Sequence, residues 1–400
     1  MKYIIIIPDG MADNPIEKLD GKTPLEVART TNMDYMAQHG MTGLVQTIPD
    51  GMHPGSDIGN MAILGYDPKT CHTGRAPLEA ANQNIILKDD EVAVRCNFTT
   101  IANDEMSDYS AGHISTKEAA VLIESLNSQI NEPNVKFYTG VGYRHLVVLK
   151  TDHAKDFLKL KTTPPHDILA KKIKSFLPKG PGAELFIRLM EKSKVILENH
   201  AVNNVRIDLK ENPANMIWLW GQGIRPQLVP FSEKFELKGS IISAVDLVNG
   251  IGRLIGLDII DVPGATGYYD TNYLGKAQYA LKSLKKKDFV YIHIEAPDEA
   301  GHNGDLKAKI EAIENIDRDV VGTILNYFDK HDDVRVLVLP DHPTPVELRT
   351  HSNDPVPFLL YGKGIAHDGS QVYNEASSKE KGLQYKSGEE LLKYFLNKSS

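Results

Sequence analysis

The chain has 400 residues, with 45 Lys and Arg against 53 Asp and Glu, which gives a formal net charge of −8. Apolar residues make up 41% and charged residues 24%, so a disordered or fibrous chain is excluded. The acidic balance disfavours broad binding to nucleic acid or to an anionic membrane, since both need a basic face.

The two cysteines, Cys71 and Cys96, exclude a disulfide framework and a four-cysteine zinc site. So few cysteines are typical of a reducing compartment. The apolar run near the first residue is too short for a signal peptide or a membrane span. We therefore expect a cytoplasmic protein.

Short β-branched runs at both ends of the chain predict strands that are buried on both faces. They lie at 3–7, 289–294 and 334–339. Between the last two, apolar residues of 306–327 recur at three- and four-residue spacing, which predicts an amphipathic helix. Strand, helix and strand in this order indicate an α/β core with a parallel sheet and helices on both faces.

The middle of the chain has a different pattern. Residues 91–101 alternate, with Arg95 and Asn97 opposite the apolar positions, which predicts a strand with one solvated face. Residues 135–149 predict a hairpin around Thr139-Gly140. Two-faced strands favour a separate α+β domain. We predict that this domain is an insertion at 78–212 into a discontinuous core formed by 1–77 and 213–400.

Three strand ends carry the dipeptide Pro-Asp, at Asp9, Asp298 and Asp341. Each one alone is ordinary turn chemistry. In a parallel sheet, however, ligand sites lie beyond the carboxyl ends of the strands, so three neighbouring strands would bring these carboxylates together. Their mutual repulsion predicts a bound cation.

Histidines accompany two of the three aspartates. His302 follows Asp298 at a helical i,i+4 spacing, His342 adjoins Asp341, and His351 lies further along the chain. Three carboxylates and three imidazoles fit two divalent cations. Mixed oxygen and nitrogen donors favour Zn²⁺ or Mn²⁺ over Ca²⁺.

A candidate nucleophile, Ser56, follows Gly55 at the start of a predicted helix over 57–64. Free amide groups and the dipole of a helix start favour phosphate oxygens, and a cation at the hydroxyl would lower its pKa. The alternative is that Ser56 only caps the helix. The residues alone favour the capping interpretation.

At this point the motifs carry a resemblance. They are Pro-Asp-Gly-Met-Ala-Asp at 8–13, Gly-Ser-Asp at 55–57, Gly-Val-Gly-Tyr-Arg-His at 140–145, Val-Pro-Gly-Ala-Thr-Gly at 262–267, Asp-Glu-Ala-Gly-His at 298–302, Asp341-His342 and His351. Together they resemble the cofactor-independent phosphoglycerate mutases of the archaeal type, within the alkaline phosphatase superfamily. The resemblance implies an alkaline-phosphatase-like core. It also implies two divalent ions (Mn²⁺, Zn²⁺, Co²⁺ or Mg²⁺), one held by Asp9, Ser56, Asp341 and His342 and the other by Asp298, His302 and His351.

The implied activity is the interconversion of 2-phosphoglycerate and 3-phosphoglycerate through phosphoserine at Ser56, without 2,3-bisphosphoglycerate. A homoserine-kinase-like phosphotransferase and a phosphomonoesterase remain open alternatives, because fold and metals do not choose the substrate. The expected partner is a small phosphorylated carboxylate, with no nucleic acid or membrane, and a homo-oligomer is possible.

A mutase must also hold glycerate and exclude water, which calls for a lid. The inserted domain offers candidate groups for this role, although alternating strands always present a polar face. Predicted substrate-binding residues are Arg144, Arg95, Asn97, His145, Asn60 and Lys276, and predicted general acids or bases are Asp108 and His113. For Lys276, the alternative is a solvated helix residue.

Overall fold

The computed structural model describes residues 1–328 and 331–397. The strands, in chain order, are β1 (Lys2–Pro8), β2 (Met41–Val45), β3 (Glu91–Ala102), β4 (Glu105–Asp108), β5 (Val135–Val141), β6 (Arg144–Lys150), β7 (Met216–Ile224), β8 (Gly239–Ile242), β9 (Asp258–Ile259), β10 (Phe289–Ile294), β11 (Val334–Val338), β12 (Val356–Gly362) and β13 (Gln384–Tyr385). The runs at 3–7, 289–294 and 334–339 thus form β1, β10 and β11, as the sequence predicts.

The helices alternate with these strands along the chain. They are α1 (Pro24–Val27), α2 (Thr31–Gln38), α3 (Ser56–Ile63), α4 (Pro68–Cys71), α5 (Arg75–Asn82), α6 (Thr116–Gln129), α7 (Ala183–Leu197), α8 (Ala201–Asp208), α9 (Phe231–Lys234), α10 (Asp246–Leu254), α11 (Tyr273–Leu284), α12 (Ala296–Asn303), α13 (Leu306–Asn315), α14 (Gly322–Phe328), α15 (Glu375–Glu380) and α16 (Gly388–Leu396). The helix predicted over 306–327 is interrupted by a π-helical segment, Ile316–Val321, between α13 and α14.

The chain divides into two compact units. The first comprises Met1–His72 and Gln227–Ser400, and the second comprises Thr73–Pro226. The predicted insertion at 78–212 falls inside the second unit. Strand β7 lies beyond the predicted boundary, yet it belongs to the second unit because it pairs with β3 there.

The first unit is built on an eight-stranded sheet in the order β13-β2-β12-β11-β1-β10-β8-β9. Strand β1 lies between β10 and β11 and is parallel to both, with Ile4 opposite Val290 on one side and Val336 on the other. Among the described strands of this sheet, β12 alone runs antiparallel to both of its neighbours. The three Pro-Asp strand ends therefore meet at one edge, as predicted.

Helices cover both faces of this sheet. On one face, Ile4 and Ile292 join a buried apolar cluster with Ile313 of α13. On the other, the Tyr291 hydroxyl donates to Asn60 of α3, at 2.6 Å. The predicted α/β class is confirmed. Within 1–328 and 331–397, no helix is both long and apolar enough to cross a membrane.

The second unit holds a five-stranded sheet in which β3 pairs antiparallel with β4, β6 and β7. The predicted solvated face of β3 is wrong. Ala76 and Ala80 of α5 pack with Ala93 of β3 and Leu146 of β6, so the second face is also covered. The sequence analysis did not identify α5, so this covering layer went unpredicted.

The hairpin of β5 and β6 is present, but its turn is not at Thr139-Gly140. Val141 pairs with Arg144, which places the turn at Gly142-Tyr143. The strand pairing is irregular just before it, between Tyr138 and Val141. This irregularity lets β5 continue past Gly140, so glycine content alone misplaced the turn.

Candidate metal centre and nucleophile

The ends of β1, β10 and β11 bring the three predicted carboxylates together. Asp9 follows β1 directly, and Asp341 follows β11 after a short extension. Helix α12 begins just beyond β10 and places Asp298 in its first turn. Asp9 and Asp341 are fully buried, and Asp298 is nearly so. Strand order alone thus concentrates negative charge at one edge of the sheet.

Ser56 faces a first group of donors, formed with Asp9, Asp341 and His342. Its Oγ lies 3.2 Å from His342 Nε2 and 3.5 Å from Asp9 Oδ2. His342 Nε2 lies 3.5 Å from Asp9 Oδ1 and 3.6 Å from Asp341 Oδ2. Ligands about 2.1 Å from a tetrahedral ion are about 3.4 Å apart, so this spacing fits one cation.

A second group consists of Asp298, His302 and His351. His302 Nε2 is 3.3 Å from Asp298 Oδ2, which confirms that the i,i+4 pair shares one face of α12. His351 Nε2 is 3.4 Å from Asp298 Oδ1 and 2.9 Å from His302 Nε2. Two imidazole nitrogens and a carboxylate pointed at one another are also a fitting donor set for a divalent ion.

The position of Ser56 excludes the simple capping alternative. Gly55 is the N-cap of α3 and Ser56 is its first residue, and Gly55 offers no side chain to cap the helix. The start of α3 lies against the loop of Asp341. A Cβ at Gly59 would meet the Asp341 carbonyl oxygen at 2.4 Å, so only glycine permits this approach. The serine hydroxyl is therefore directed at the donor group.

Electrostatics at the first group also point to a cation. Burial, followed by repulsion from Asp341, Glu295 and Asp298, raises the pKa of Asp9 well above its ordinary value. Asp9 Oδ1 is buried and accepts no hydrogen bond from any described residue. A divalent ion would remove both the repulsion and the unsatisfied oxygen.

In the second group, charges are balanced by hydrogen bonding. Although burial alone would raise the pKa of Asp298, hydrogen bonds from His302 and His351 hold it well below its ordinary value. The hydrogen bond to Asp298 raises the pKa of His302 to about 9, against the effect of burial. Asp298 is therefore kept as the ionised carboxylate that a metal ligand must be.

The sequence analysis missed two residues of this region, the buried His293 and the partly buried Glu295. His293 Nε2 lies 3.1 Å from Asp9 Oδ2, and His293 Nδ1 lies 3.8 Å from Glu295 Oε2. Burial lowers the pKa of His293 to about 4 and raises that of Glu295 to about 8. The sequence could have indicated His293, because a histidine inside the apolar run 289–294 needs a buried hydrogen-bonding partner.

Two further predicted residues of the first unit serve its interior. The Asn60 amide donates to Asp341 Oδ2 at 2.6 Å and accepts from Tyr291, so it orients Asp341 and does not face a ligand. Lys276 is fully buried and donates to the His293 carbonyl oxygen at 2.7 Å. The alternative that Lys276 is a solvated helix residue is wrong. Burial lowers its pKa to about 8.

The strand residues Asn97 and His145 of the second unit are buried, and for Asn97 this is contrary to the predicted solvated face of β3. Asn97 Oδ1 accepts from the Trp220 indole at 3.1 Å. His145 Nδ1 accepts from the Gly140 amide at 3.0 Å, and its ring lies 4.8 Å from that of Phe98. Burial lowers the pKa of His145 to about 3. Both side chains are held as parts of the core.

The two arginines predicted to bind substrate, Arg95 and Arg144, differ in solvent exposure and in pairing. Arg95 is largely buried, with its guanidinium 3.9 Å above the Trp220 ring and 3.0 Å from Glu79. Arg144 is exposed. Burial mainly lowers the pKa of Arg95, and the nearby positive charges of Arg144 and of Arg75, which the sequence analysis missed, act in the same direction. These three arginines form a basic cluster that suits a carboxylate or phosphate.

Asp108 is the last residue of β4, and His113 lies in the loop that follows. Asp108 accepts hydrogen bonds from the Ser110 amide and hydroxyl, the Gly112 amide and the Asn212 side chain, at 2.6–2.8 Å. Burial alone would raise the pKa of Asp108, but these hydrogen bonds hold the pKa below its ordinary value. That environment disfavours Asp108 as a general acid. His113 is exposed, and its role stays a prediction.

An α/β sheet whose strand ends collect a serine and two sets of carboxylate and imidazole donors is the architecture of a metal-dependent enzyme. Comparison with known proteins agrees. A family model described as 2,3-bisphosphoglycerate-independent phosphoglycerate mutase matches residues 37–203. A protein of that name from Methanosarcina barkeri is 50% identical over 387 residues, which cover 96% of each chain.

Solved structures share the fold over the whole chain. The PH0037 protein of Pyrococcus horikoshii is 30% identical, with a TM-score of 0.85 over 100% of this chain and 98% of that one. The cofactor-independent phosphoglycerate mutase of Thermoplasma acidophilum is 26% identical, with a TM-score of 0.69 over 99% of both chains. The chain belongs to the family of 2,3-bisphosphoglycerate-independent phosphoglycerate mutases.

Proposed function

We propose that this protein interconverts 2-phosphoglycerate and 3-phosphoglycerate by way of a phosphoserine at Ser56. The observation that carries the proposal is the Ser56 hydroxyl, which lies 3.2 Å from His342 Nε2 at the meeting point of the strand ends. The family of the chain supports the same activity. The enzyme is thus an isomerase that moves a phosphoryl group within one substrate.

Both donor groups fit divalent cations. We assign one ion to Asp9, Ser56, Asp341 and His342, and the other to Asp298, His302 and His351. When bound, the ions would supply positive charge against the oxygens of the transferring phosphoryl group. Mn²⁺, Zn²⁺, Co²⁺ and Mg²⁺ are the candidates, because the donors mix hard oxygen with imidazole nitrogen.

The reaction consists of two successive transfers of the phosphoryl group, and in each of them one P–O bond forms while another breaks. Ser56 Oγ forms a P–O bond while the bond between phosphorus and the first glycerate hydroxyl oxygen breaks. Ser56 Oγ loses one proton in this step, and the released glycerate oxygen gains one, so the protons balance. In the second transfer the other glycerate hydroxyl takes the phosphoryl group and Oγ recovers its proton. No 2,3-bisphosphoglycerate is required by this balance.

Recognition of the substrate carboxylate is assigned to the basic cluster of the second unit, formed by Arg75, Arg95 and Arg144. Among these, Arg144 is the strongest candidate because its guanidinium is exposed, whereas that of Arg95 is paired with Glu79. Planar guanidinium groups bind carboxylates through paired hydrogen bonds. An anionic three-carbon acid therefore suits this cluster better than a neutral acceptor does.

The proposal is tested by supplying the purified protein with 3-phosphoglycerate and Mn²⁺ and measuring 2-phosphoglycerate. Parallel reactions contain ATP with homoserine, or the phosphoglycerate alone with detection of free phosphate. We expect isomer with little free phosphate and no phosphohomoserine. Phosphohomoserine as the main product would establish a kinase, and stoichiometric release of phosphate would establish a phosphomonoesterase. Either result would overturn the proposal.

A further inference from the structure

Thr344 contacts one member of each donor group, although the sequence analysis did not select it. It is fully buried in the loop that follows Asp341 and His342. Its hydroxyl donates to Asp298 Oδ1 and lies 3.3 Å from His342 Nδ1. Of the two proposed cation sites, Asp298 belongs to one and His342 to the other. A single hydroxyl therefore connects the two groups, through Oδ1 of Asp298 and through the ring nitrogen of His342 that does not face Ser56.

The single proton of the Thr344 hydroxyl determines which ring nitrogen of neutral His342 carries a proton. A threonine hydroxyl carries one proton, and the Thr344 proton is directed at Asp298. Towards His342 the oxygen can therefore only accept, so the proton of the neutral imidazole sits on Nδ1. Nε2 then presents a lone pair on the side where the Ser56 hydroxyl lies, 3.2 Å away. That is the form in which histidine binds a metal.

The main chain of Thr344 is held equally firmly. Its amide donates to the Ala12 carbonyl oxygen at 3.2 Å. Its own carbonyl accepts from the buried Lys309 ammonium at 2.8 Å, and Lys309 also donates to Asp13 Oδ2 at 2.8 Å. Lys309 thereby ties the loop after β1 to the loop after β11. Thr344 cannot shift without breaking this buried network.

The space around the hydroxyl is also fitted to it. Gly10, which follows Asp9, has a φ of +62°, and a Cβ there would lie 2.5 Å from Thr344 Oγ1. Glycine is therefore needed on two counts, conformation and clearance. The close approach brings the chain carrying Asp9 against the hydroxyl that orders Asp298 and His342.

We propose that Thr344 is a positioning residue that holds Asp298 and His342 ready to bind cations and sets His342 in its Nδ1-protonated form. The inference rests on the proposed function only for the identity of the ligands. It predicts that the hydroxyl, and not the methyl group, of Thr344 governs cation affinity. Outer hydrogen bonds of this kind typically change metal affinity by about 10- to 100-fold.

The test compares Thr344→Val, Thr344→Ser and a control, Thr42→Val. Thr42 is a buried threonine of β2 whose hydroxyl bonds Ser370 at 2.8 Å, away from the donor groups. Mn²⁺ affinity of each full-length protein is measured from the free Mn²⁺ signal in electron paramagnetic resonance. We expect Thr344→Val to bind about 10- to 100-fold more weakly, with Thr344→Ser and Thr42→Val close to wild type.

A second readout is taken on the wild-type protein, and a variant serves only to assign the signal. In wild-type protein that carries ¹⁵N-labelled histidine and has been freed of divalent cations by a chelator, long-range ¹⁵N–¹H correlations report which ring nitrogen of His342 bears the proton. His342→Gln assigns the signal. A proton on Nδ1 supports the inference, and a bare Nδ1 overturns it.

The affinity outcomes are equally decisive. Wild-type affinity in Thr344→Val would overturn the inference, and so would a Thr344→Ser variant as weak as Thr344→Val, since packing would then explain the loss. These results are separable from the proposed function. If wild-type protein binds cations in this way but does not isomerise phosphoglycerate, the proposed function fails and the role of Thr344 stands.

Discussion

Replacement of His145 by glutamine should change how the stability of the second unit depends on pH. Burial lowers the pKa of His145 to about 3, whereas a histidine in an unfolded chain has a pKa of about 6.5. Between about pH 6.5 and pH 3, His145 is therefore protonated in the unfolded chain but not in the folded protein, which stabilises the unfolded chain. The free energy of unfolding is therefore fully retained above about pH 6.5 and falls as the pH drops towards 3.

The size of the effect follows from the two pKa values. Each pH unit between them costs about 1.4 kcal/mol per proton, so from about pH 7.5 to about pH 5 the loss is about 2 kcal/mol. No discount for solvent is needed, because the His145 side chain is only 2% exposed. The buried Nε2, which has no hydrogen-bond partner among the described residues, adds no compensating bond.

Urea unfolding of the second unit can be followed by tryptophan fluorescence, since both tryptophans of the chain, Trp218 and Trp220, lie in β7. Between about pH 7.5 and pH 5, wild type should lose about 2 kcal/mol more than His145→Gln. His113→Gln, which removes an exposed histidine of the same unit, should follow wild type. Equal pH dependence in wild type and His145→Gln would refute the buried, neutral state of His145.

Three further predictions concern the catalytic and binding residues. Ser56→Ala should lower isomerisation by at least about 10⁴-fold while elemental analysis still finds the bound metal, because a covalent nucleophile is lost; appreciable residual turnover would contradict covalent catalysis. His302→Ala should reduce the metal content, and two full equivalents in that variant would remove His302 from the ligands. Arg144→Ala should raise the KM for phosphoglycerate by about 10- to 100-fold, the value of a charge-assisted contact, while hydrolysis of an aryl phosphate is kept. Equal losses on both substrates would exclude a role in recognition.

The parts of the fold that the sequence predicted share one physical basis. A β-branched run such as 289–294 can be buried on both faces only inside a covered sheet, and parallel order then brings Asp9, Asp298 and Asp341 to one edge. The i,i+4 pair of Asp298 and His302 needed nothing beyond helix geometry. For these elements, local pattern and tertiary structure agree.

The failures arose where tertiary contacts decide the outcome. Alternation along β3 indicated a solvated face, but the short helix α5 covers it, and Asn97 is buried there. Thr344 carries no motif of its own, and its importance depends on Asp298 and His342 meeting in space. No spacing along the chain could have indicated that contact.

The central claim, a serine served by two divalent cations, is tested most directly by titrating chelated protein with Mn²⁺ while measuring both bound metal and isomerisation of 3-phosphoglycerate. Activity should be absent without metal and should reach its maximum only as the second equivalent binds. Isomerisation by the metal-free protein, or full activity at one equivalent, would contradict the account.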